Sequence, residues 1–225
     1  MTHRLLVERV ALILGLLVLA GCATPKRYDY SAFRESRPAS ILVLPPLNRS
    51  PDVGATYSVL SHATLPLAES GYYVFPVTLV DETFKQNGMT TPADIHQVPV
   101  GKLREIFGAD AALYIHVRQY GTTYAIILSE TRVTADARLV DLRSGKTLWE
   151  GSASASSGEG DSGSGGGVVG LLVKAVVSQI VDTVSNRGHA IAGMATQRLL
   201  SAGRPNAILY GPRSPRYLKD GSPTP

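Results

Sequence analysis

A chain of 225 residues, 44% hydrophobic and 18% charged, has enough apolar mass for one folded domain with appendages. Its net charge of +4 sits at the ends, because the body from Cys22 to Ala202 balances at 16 basic and 16 acidic residues. A neutral body lacks the concentrated basic footprint of a nucleic-acid-binding surface, and a single cysteine excludes an intramolecular disulfide or a multi-cysteine zinc site.

Met1 to Arg9 places two arginines and a free amine ahead of the apolar run Val10 to Leu19. That run is too short to span about 30 Å of hydrocarbon as a helix and has the layout of a signal peptide. It ends in Leu19-Ala20-Gly21-Cys22, which resembles the lipobox of bacterial lipoproteins. Small residues fit a narrow peptidase cleft, and the thiol becomes the acyl acceptor. Residues 1–21 are therefore read as a cleaved leader and Cys22 as the lipidation site. At about 0.8 kcal/mol per buried methylene, two or more acyl chains make a stable anchor. Ala23 and Thr24 follow, with no aspartate to signal retention in the inner membrane. By resemblance to bacterial sorting rules the expected address is the outer membrane, on either its periplasmic or its surface face.

Residues 22–38 are polar and aperiodic and read as a tether. Ile41-Leu42-Val43-Leu44 is a short buried strand stopped by Pro45-Pro46. Helical spacing of Val59, Leu60, Ala63, Leu67 and Ala68 predicts a helix over 55–69, with Pro66 expected to kink or shorten it. Tyr72 to Val77 is a second strand by its aromatic and β-branched content, and Leu79 to Gln86 a short helix closed by Asn87-Gly88. Thr91-Pro92-Ala93-Asp94 opens a loop before a helix over Val100 to Phe107. Ala111 to Tyr120 is a strong strand, with Gly121-Thr122 read as a tight connection into Tyr124 to Leu128. Thr131 to Leu142 alternates apolar and polar, the pattern of a strand with one wet face, and a hairpin turn over Arg143 to Lys146 leads into Thr147 to Ser154. Residues 156–167 form a Gly/Ser-rich linker. Val168 to Val184 is a largely buried helix with Lys174, Ser178, Asp182 and Ser185 on one polar stripe, continuing over Ala190 to Leu200.

The order β-α-β-α-α-β-β-β-α implies one α/β domain over 39–202, a layer sandwich on a single mixed sheet. Residues 203–225 form a basic, proline-rich tail that reads as solvated. The 168–184 helix carries more apolar surface than one domain needs, so a homodimer through it is expected.

The motifs favour no enzyme. Gly158-Glu159-Gly160-Asp161-Ser162-Gly163 matches a dinucleotide fingerprint in letters, but Glu159 and Asp161 would repel a pyrophosphate, and the loop follows the last strand. Gly160-Asp161-Ser162-Gly163 is similar to the nucleophile loop of trypsin-like proteases without their histidine motif or all-β pattern. Asp94 and His96 could give two metal ligands, but nothing at recognisable spacing gives a third. His116 sits mid-strand and is expected to face solvent or a polar neighbour, and His62 and His189 are lone histidines. The acids Asp81, Glu82 and Glu105 occupy helix starts or surfaces, where the helix dipole alone accounts for them. No cofactor and no metal are expected. A ligand surface is conceivable at the ends of the first two strands, from Pro45, Asn48, Tyr72, Tyr73, Asp81 and Glu82.

Several consecutive stretches are similar to one known family. They include Leu42-Val43-Leu44-Pro45-Pro46, Leu67-Ala68-Glu69 followed by Gly71-Tyr72-Tyr73-Val74, Val80-Asp81-Glu82, Leu103 to Ala111, and Leu139 to Gly145. They resemble bacterial lipoproteins of unknown function over about Cys22 to Gly151. The resemblance implies a fold like the TolB amino-terminal domain and an association with CsgG-like lipoproteins in envelope assembly or transport. It carries no catalytic residues. The expected function is therefore a non-enzymatic, lipid-anchored accessory of another envelope protein, with a periplasmic small-ligand or glycan binding module as the alternative.

Overall fold

The computed structural model describes residues 28–124, 129–160 and 184–219. Six helices pack on one mixed sheet. The helices are α1 (Ser31–Ser36), α2 (Ala55–Glu69), α3 (Val77–Gln86), the single turn α4 (Pro92–Ile95), α5 (Val100–Phe107) and α6 (Val184–Leu200). The strands are β1 (Ser40–Val43), β2 (Leu47–Asn48), β3 (Tyr73–Val74), β4 (Ala111–Tyr124), β5 (Ser129–Asp141) and β6 (Thr147–Ser156). The sheet runs β3-β1-β4-β5-β6, with β2 also on β4. Strands β1, β2 and β3 are parallel to their neighbours, whereas β4-β5-β6 is an antiparallel meander. The expected α/β fold on a single mixed sheet is thus what forms.

Pro45 and Pro46 have no N–H for the ladder, so β1 stops and the chain rejoins β4 only as β2. Their free carbonyls are used by the two helical layers. Pro45 O accepts from His96 Nε2 at 2.9 Å, and Pro46 O accepts from the Thr56 hydroxyl at 3.2 Å.

Side chains alternate across the meander and so build two cores. Leu113, Ile115 and Val117 of β4, with Val133, Ala135 and Leu139 of β5, face α2 and α6. Ala112 and Tyr114 of β4, with Leu42, Val140 and Leu142, face Val80, Phe84, Ile95 and Leu103 on α3, α4 and α5. A register shift between Val117 and Gln119 changes the phase, so Tyr120 joins the first core.

Several expectations change. Pro66 lies in the last turn of α2 and forfeits a single backbone bond there, so the helix reaches Glu69 intact. The second strand shrinks to Tyr73–Val74 because Tyr72 turns into the core and its hydroxyl donates to Leu209 O at 2.5 Å. Thr91 caps a helical turn where a loop was expected, its Oγ1 accepting from Asp94 N at 3.3 Å with Pro92 opening the turn. Gly121 and Thr122 are not a connection. They continue β4 opposite Arg132 and Thr131, and the two threonine hydroxyls meet at 2.7 Å. Ser156 ends β6 rather than opening a linker, and Glu159 folds back to accept its N–H at 3.0 Å. Most of the linker and the 168–184 run lie outside the described residues, and so does the dimer contact expected there.

Both ends of the body are tied down, because aromatic and apolar side chains there find the core. From Tyr28 onward the tether reading fails, since Tyr28 N donates to Asn206 Oδ1 at 3.0 Å, Tyr30 OH donates to Ala207 O at 2.5 Å and Phe33 is buried. The segment from Gly203 to Lys219 is likewise no solvated tail. Ile208 and Leu209 are buried, Gly211 N donates to Ser70 O at 2.8 Å and Arg213 N to Gly71 O at 3.1 Å. It is a strap across the end of α2.

Candidate docking surface

The helices α3, α4 and α5 cover only one end of the sheet's second face. Alternation along β4, β5 and β6 carries that face onward into His116, Arg118, Thr134, Asp136, Arg138, Glu150 and Ser152, with no helix over them among the described residues. The result is an open concavity of about 590 Å³, lined by Tyr114, His116, Arg118, Asp136, Arg138 and Glu150.

Charge is distributed unevenly within it. Arg118 is neutralised by a short ion pair with Asp136. Arg138 lies 5.4 Å from the centroid of the Tyr114 ring and makes no ion pair with any described residue, although Glu150 is its register neighbour on β6. At the rear, the His96 ring meets Tyr114 edge-on at 5.2 Å and stacks on His116 at 5.8 Å. Burial is the largest influence on His96 and, opposed by the Pro45 carbonyl and aided by His116 and Arg138, holds it down at about 4. His116 is also pushed below its ordinary value, first by burial and then by Arg49, Arg138 and Arg118 against Asp136. Burial raises the Tyr114 phenol. Near neutral pH the surface therefore presents two uncharged imidazoles, a neutral phenol and an arginine with an open fork. Such a set can hold an anion by hydrogen bonding and charge.

These histidines make stability depend on pH. An imidazole whose folded value lies below 6.5 binds its proton more readily in the unfolded chain, so its contribution is complete above 6.5 and drains as pH falls towards 4. Because His96 is partly exposed, the expected slope from it is at most about 1 kcal/mol per pH unit. Urea midpoints at pH 6.5, 5.5 and 4.5 should fall in the wild type, and fall less steeply in His96→Gln. Equal slopes would sink the assignment. His116 and His62 shift in the same direction and add to the slope.

The surface residues proposed from sequence are not brought together. Asn48 closes its own turn, accepting from Ser50 N at 2.8 Å and donating to Asp52 O at 2.7 Å. Tyr72 is a core anchor, and Tyr73 is exposed beneath Arg213. Asp81 pairs with Lys85 at 2.6 Å, and exposed Glu82 bonds Gln86 at 3.1 Å. Asn48 lies beside Val117 whereas Tyr73 lies beside Ser40, at the level of the first residues of β4. Some seven residues of strand separate them, roughly 23 Å. Of the acids weighed from sequence, Asp94 accepts from the hydroxyl of the Thr91 cap at 2.6 Å and Glu105 pairs with Lys102 at 2.9 Å. Among the described residues no three histidine, cysteine or acidic side chains are grouped to hold a metal ion. Glu159 of the fingerprint-like loop pairs with Arg198 at 2.6 Å.

A second polar cluster joins α2 to α6. Tyr120 OH donates to Ser58 Oγ at 3.0 Å, Ser58 meets His189 Nδ1 at 2.9 Å, and the His62 and His189 rings lie 4.3 Å apart. Among the described residues no carboxylate in the cluster orients the histidine as a triad requires. The phenol already occupies the serine oxygen, so the contacts hold two helices in register. Sequence reasoning missed Arg138, Arg118, Asp136 and Glu150. The available signal was the wet side of the alternating strand 131–142, read as solvated and not followed across its neighbours.

The α/β body on a single mixed sheet, and the lipobox-like Leu19-Ala20-Gly21-Cys22 in the sequence ahead of it, agree with a lipoprotein. The chain belongs to the GNA1162-like lipoprotein family, whose family model matches residues 28–213. It is 54% identical over 207 residues to the lipoprotein NMB1124/NMB1162 of Neisseria meningitidis serogroup B, covering 90% of this chain and 95% of that one. The crystal structure of lipoprotein GNA1162 from Neisseria meningitidis is 59% identical and covers 65% of this chain and all of that one, with a TM-score of 0.54. Membership places the chain among proteins anchored to a membrane of the cell envelope.

Proposed function

We propose that the chain is a non-enzymatic protein of the outer membrane, anchored by lipid on Cys22, whose body docks another envelope protein, a CsgG-like lipoprotein among the candidates. The observation that supports this best is the polar half of the sheet, which no helix among the described residues covers, a broad surface rather than an enclosed reaction chamber. Because Tyr28 is already fixed to the body, only residues 22–27 remain as tether. Six residues reach at most about 20 Å. The docking face therefore works close beside the membrane.

Two measurements in living cells test this. Wild type should incorporate labelled palmitate and sediment with outer membranes, whereas Cys22→Ser should lose the label and the sedimentation. Unlabelled wild type would refute the anchor. A photo-crosslinking residue at Ser152, on the concave face, should trap an envelope protein, while one at Gln86 on α3 should not. Silence at both positions would refute the docking face.

A small-ligand reading is favoured by one observation, since about 590 Å³ falls within the range of ligand pockets. A glycan or small-molecule panel that raised the melting temperature, together with no crosslink at Ser152, would replace the docking reading with this one.

A further inference from the structure

We propose that the concavity beside Arg138 is a carboxylate-docking site, and that its occupant is an extended polar peptide segment of the partner carrying one isolated acidic side chain. The inference rests on the docking reading above and names the chemistry of the face.

Arg138 is the central observation. Its cross-strand neighbour on β6 is Glu150, and opposite charges facing each other on adjacent strands ordinarily pair. The two do not pair here. The guanidinium instead lies over Tyr114. A guanidinium held over a ring by cation–π attraction keeps N–H donors for a carboxylate, which its planar fork matches through two parallel hydrogen bonds. That contact also restricts the side chain before a ligand arrives, which lowers the cost of binding.

The surroundings add to the attraction and set its limits. Arg49 makes no ion pair with a described residue, and it acts with Arg138 and Arg118 on the same imidazole, His116. A concave wall concentrates that field. Burial holds both imidazoles below their ordinary value, so neither adds charge near pH 7, and the His96 Nε2–H is already given to Pro45 O. Asp136 and Glu150 share the rim. They admit one carboxylate at Arg138 and repel a dense polyanion. That separates a peptide with a single acid from a phosphate-rich or uronate-rich polymer.

The remaining surface suits an extended backbone. Thr134 and Ser154 are cross-strand neighbours with hydroxyls 3.1 Å apart, and Ser152 follows on the same face. Hydroxyls at alternate positions along a strand repeat at the spacing of alternate residues in an extended peptide.

The test uses the mature chain with Cys22→Ala and the blocked peptide acetyl-Gly-Ser-Asp-Ser-Gly-amide, followed by amide chemical-shift titration. The matched Asn peptide should bind at least ten-fold more weakly. Arg138→Ala should erase that difference while its urea melt stays unchanged, as Arg138 is exposed. Arg138→Lys keeps the charge without the fork and should recover only part of the preference. Equal binding of the Asp and Asn peptides would overturn the proposal, as would an undiminished preference in Arg138→Ala. Inorganic phosphate or oligoglucuronate displacing the peptide at lower concentration than the peptide's own affinity would overturn the choice of a peptide. A crosslink at Ser152 without Asp preference would leave docking standing and remove the carboxylate site. Asp preference without a crosslinked partner would do the reverse.

Discussion

Replacing Gly71 with alanine should destabilise the folded chain by about 3 kcal/mol or more, because two independent costs coincide there. Gly71 has φ +98°, a conformation that L side chains rarely adopt. A Cβ at that position would also stand 2.5 Å from Ser214 N and 2.8 Å from Gly211 O. Both atoms are backbone, so no side chain can swing aside. The strap must move or the turn after α2 must open. Gly211 is the reciprocal case, since its Cβ would meet Gly71 O at 2.5 Å. Urea unfolding followed by the fluorescence of the single tryptophan should show an earlier midpoint for either alanine variant. Brief trypsin treatment should then cut at Arg213 or Arg216 if the strap detaches first. A midpoint within 0.2 M of wild type would mean that the two segments do not touch as described.

Trp149→Ala should cost about 4 kcal/mol, the range for a fully buried aromatic side chain. Trp149 is 1% exposed, and its indole N–H donates to Asn206 O at 2.9 Å. Trp149→Phe keeps much of the burial but removes the indole hydrogen bond, at an expected cost of about 1 kcal/mol. The ring also lies over Gly151, where a Cβ would meet ring atoms at 2.2 and 2.6 Å. Gly151→Ala should therefore be strongly destabilising in the wild type and nearly neutral beside Trp149→Ala. Circular dichroism melts of the four proteins give the coupling directly. Additive effects would contradict the packing of ring on glycine.

Local chemistry explains which elements were legible. The unbroken apolar run Ile41–Leu44, the glycine stop at Gly108 and the alternation over 131–142 each depend on residues within one segment, and each has its expected form. The misread elements depend on distant partners. Tyr72 looks like a strand residue until Leu209, far along the chain, accepts its hydroxyl. Tyr28 and Tyr30 look like tether residues until Asn206 and Ala207 meet them. Gly121-Thr122 looks like a turn until Thr131 lies opposite.

The site follows the same logic. His116 was visible as a strand histidine, and Arg138 as one charge on a wet face. That they share a concavity with Glu150 requires knowing that β4, β5 and β6 are adjacent and in which register. The expected leader and the lipidation of Cys22 rest on a local motif and lie outside the described residues.

Two stretches along the sheet's margin bear on how the protein tolerates its own company. A lipoprotein is confined to two dimensions, where neighbours meet often and an unpaired strand edge is a template for joining them. Beside β2, Pro45 and Pro46 offer no N–H to an incoming strand, and their carbonyls are already taken by His96 and Thr56. Along β6, Arg198 takes the Ser154 carbonyl and Glu159 takes the Ser156 N–H. At these stretches an incoming strand from a crowded copy meets ladder groups already absent or engaged, which leaves side-chain chemistry on the open face to select what binds.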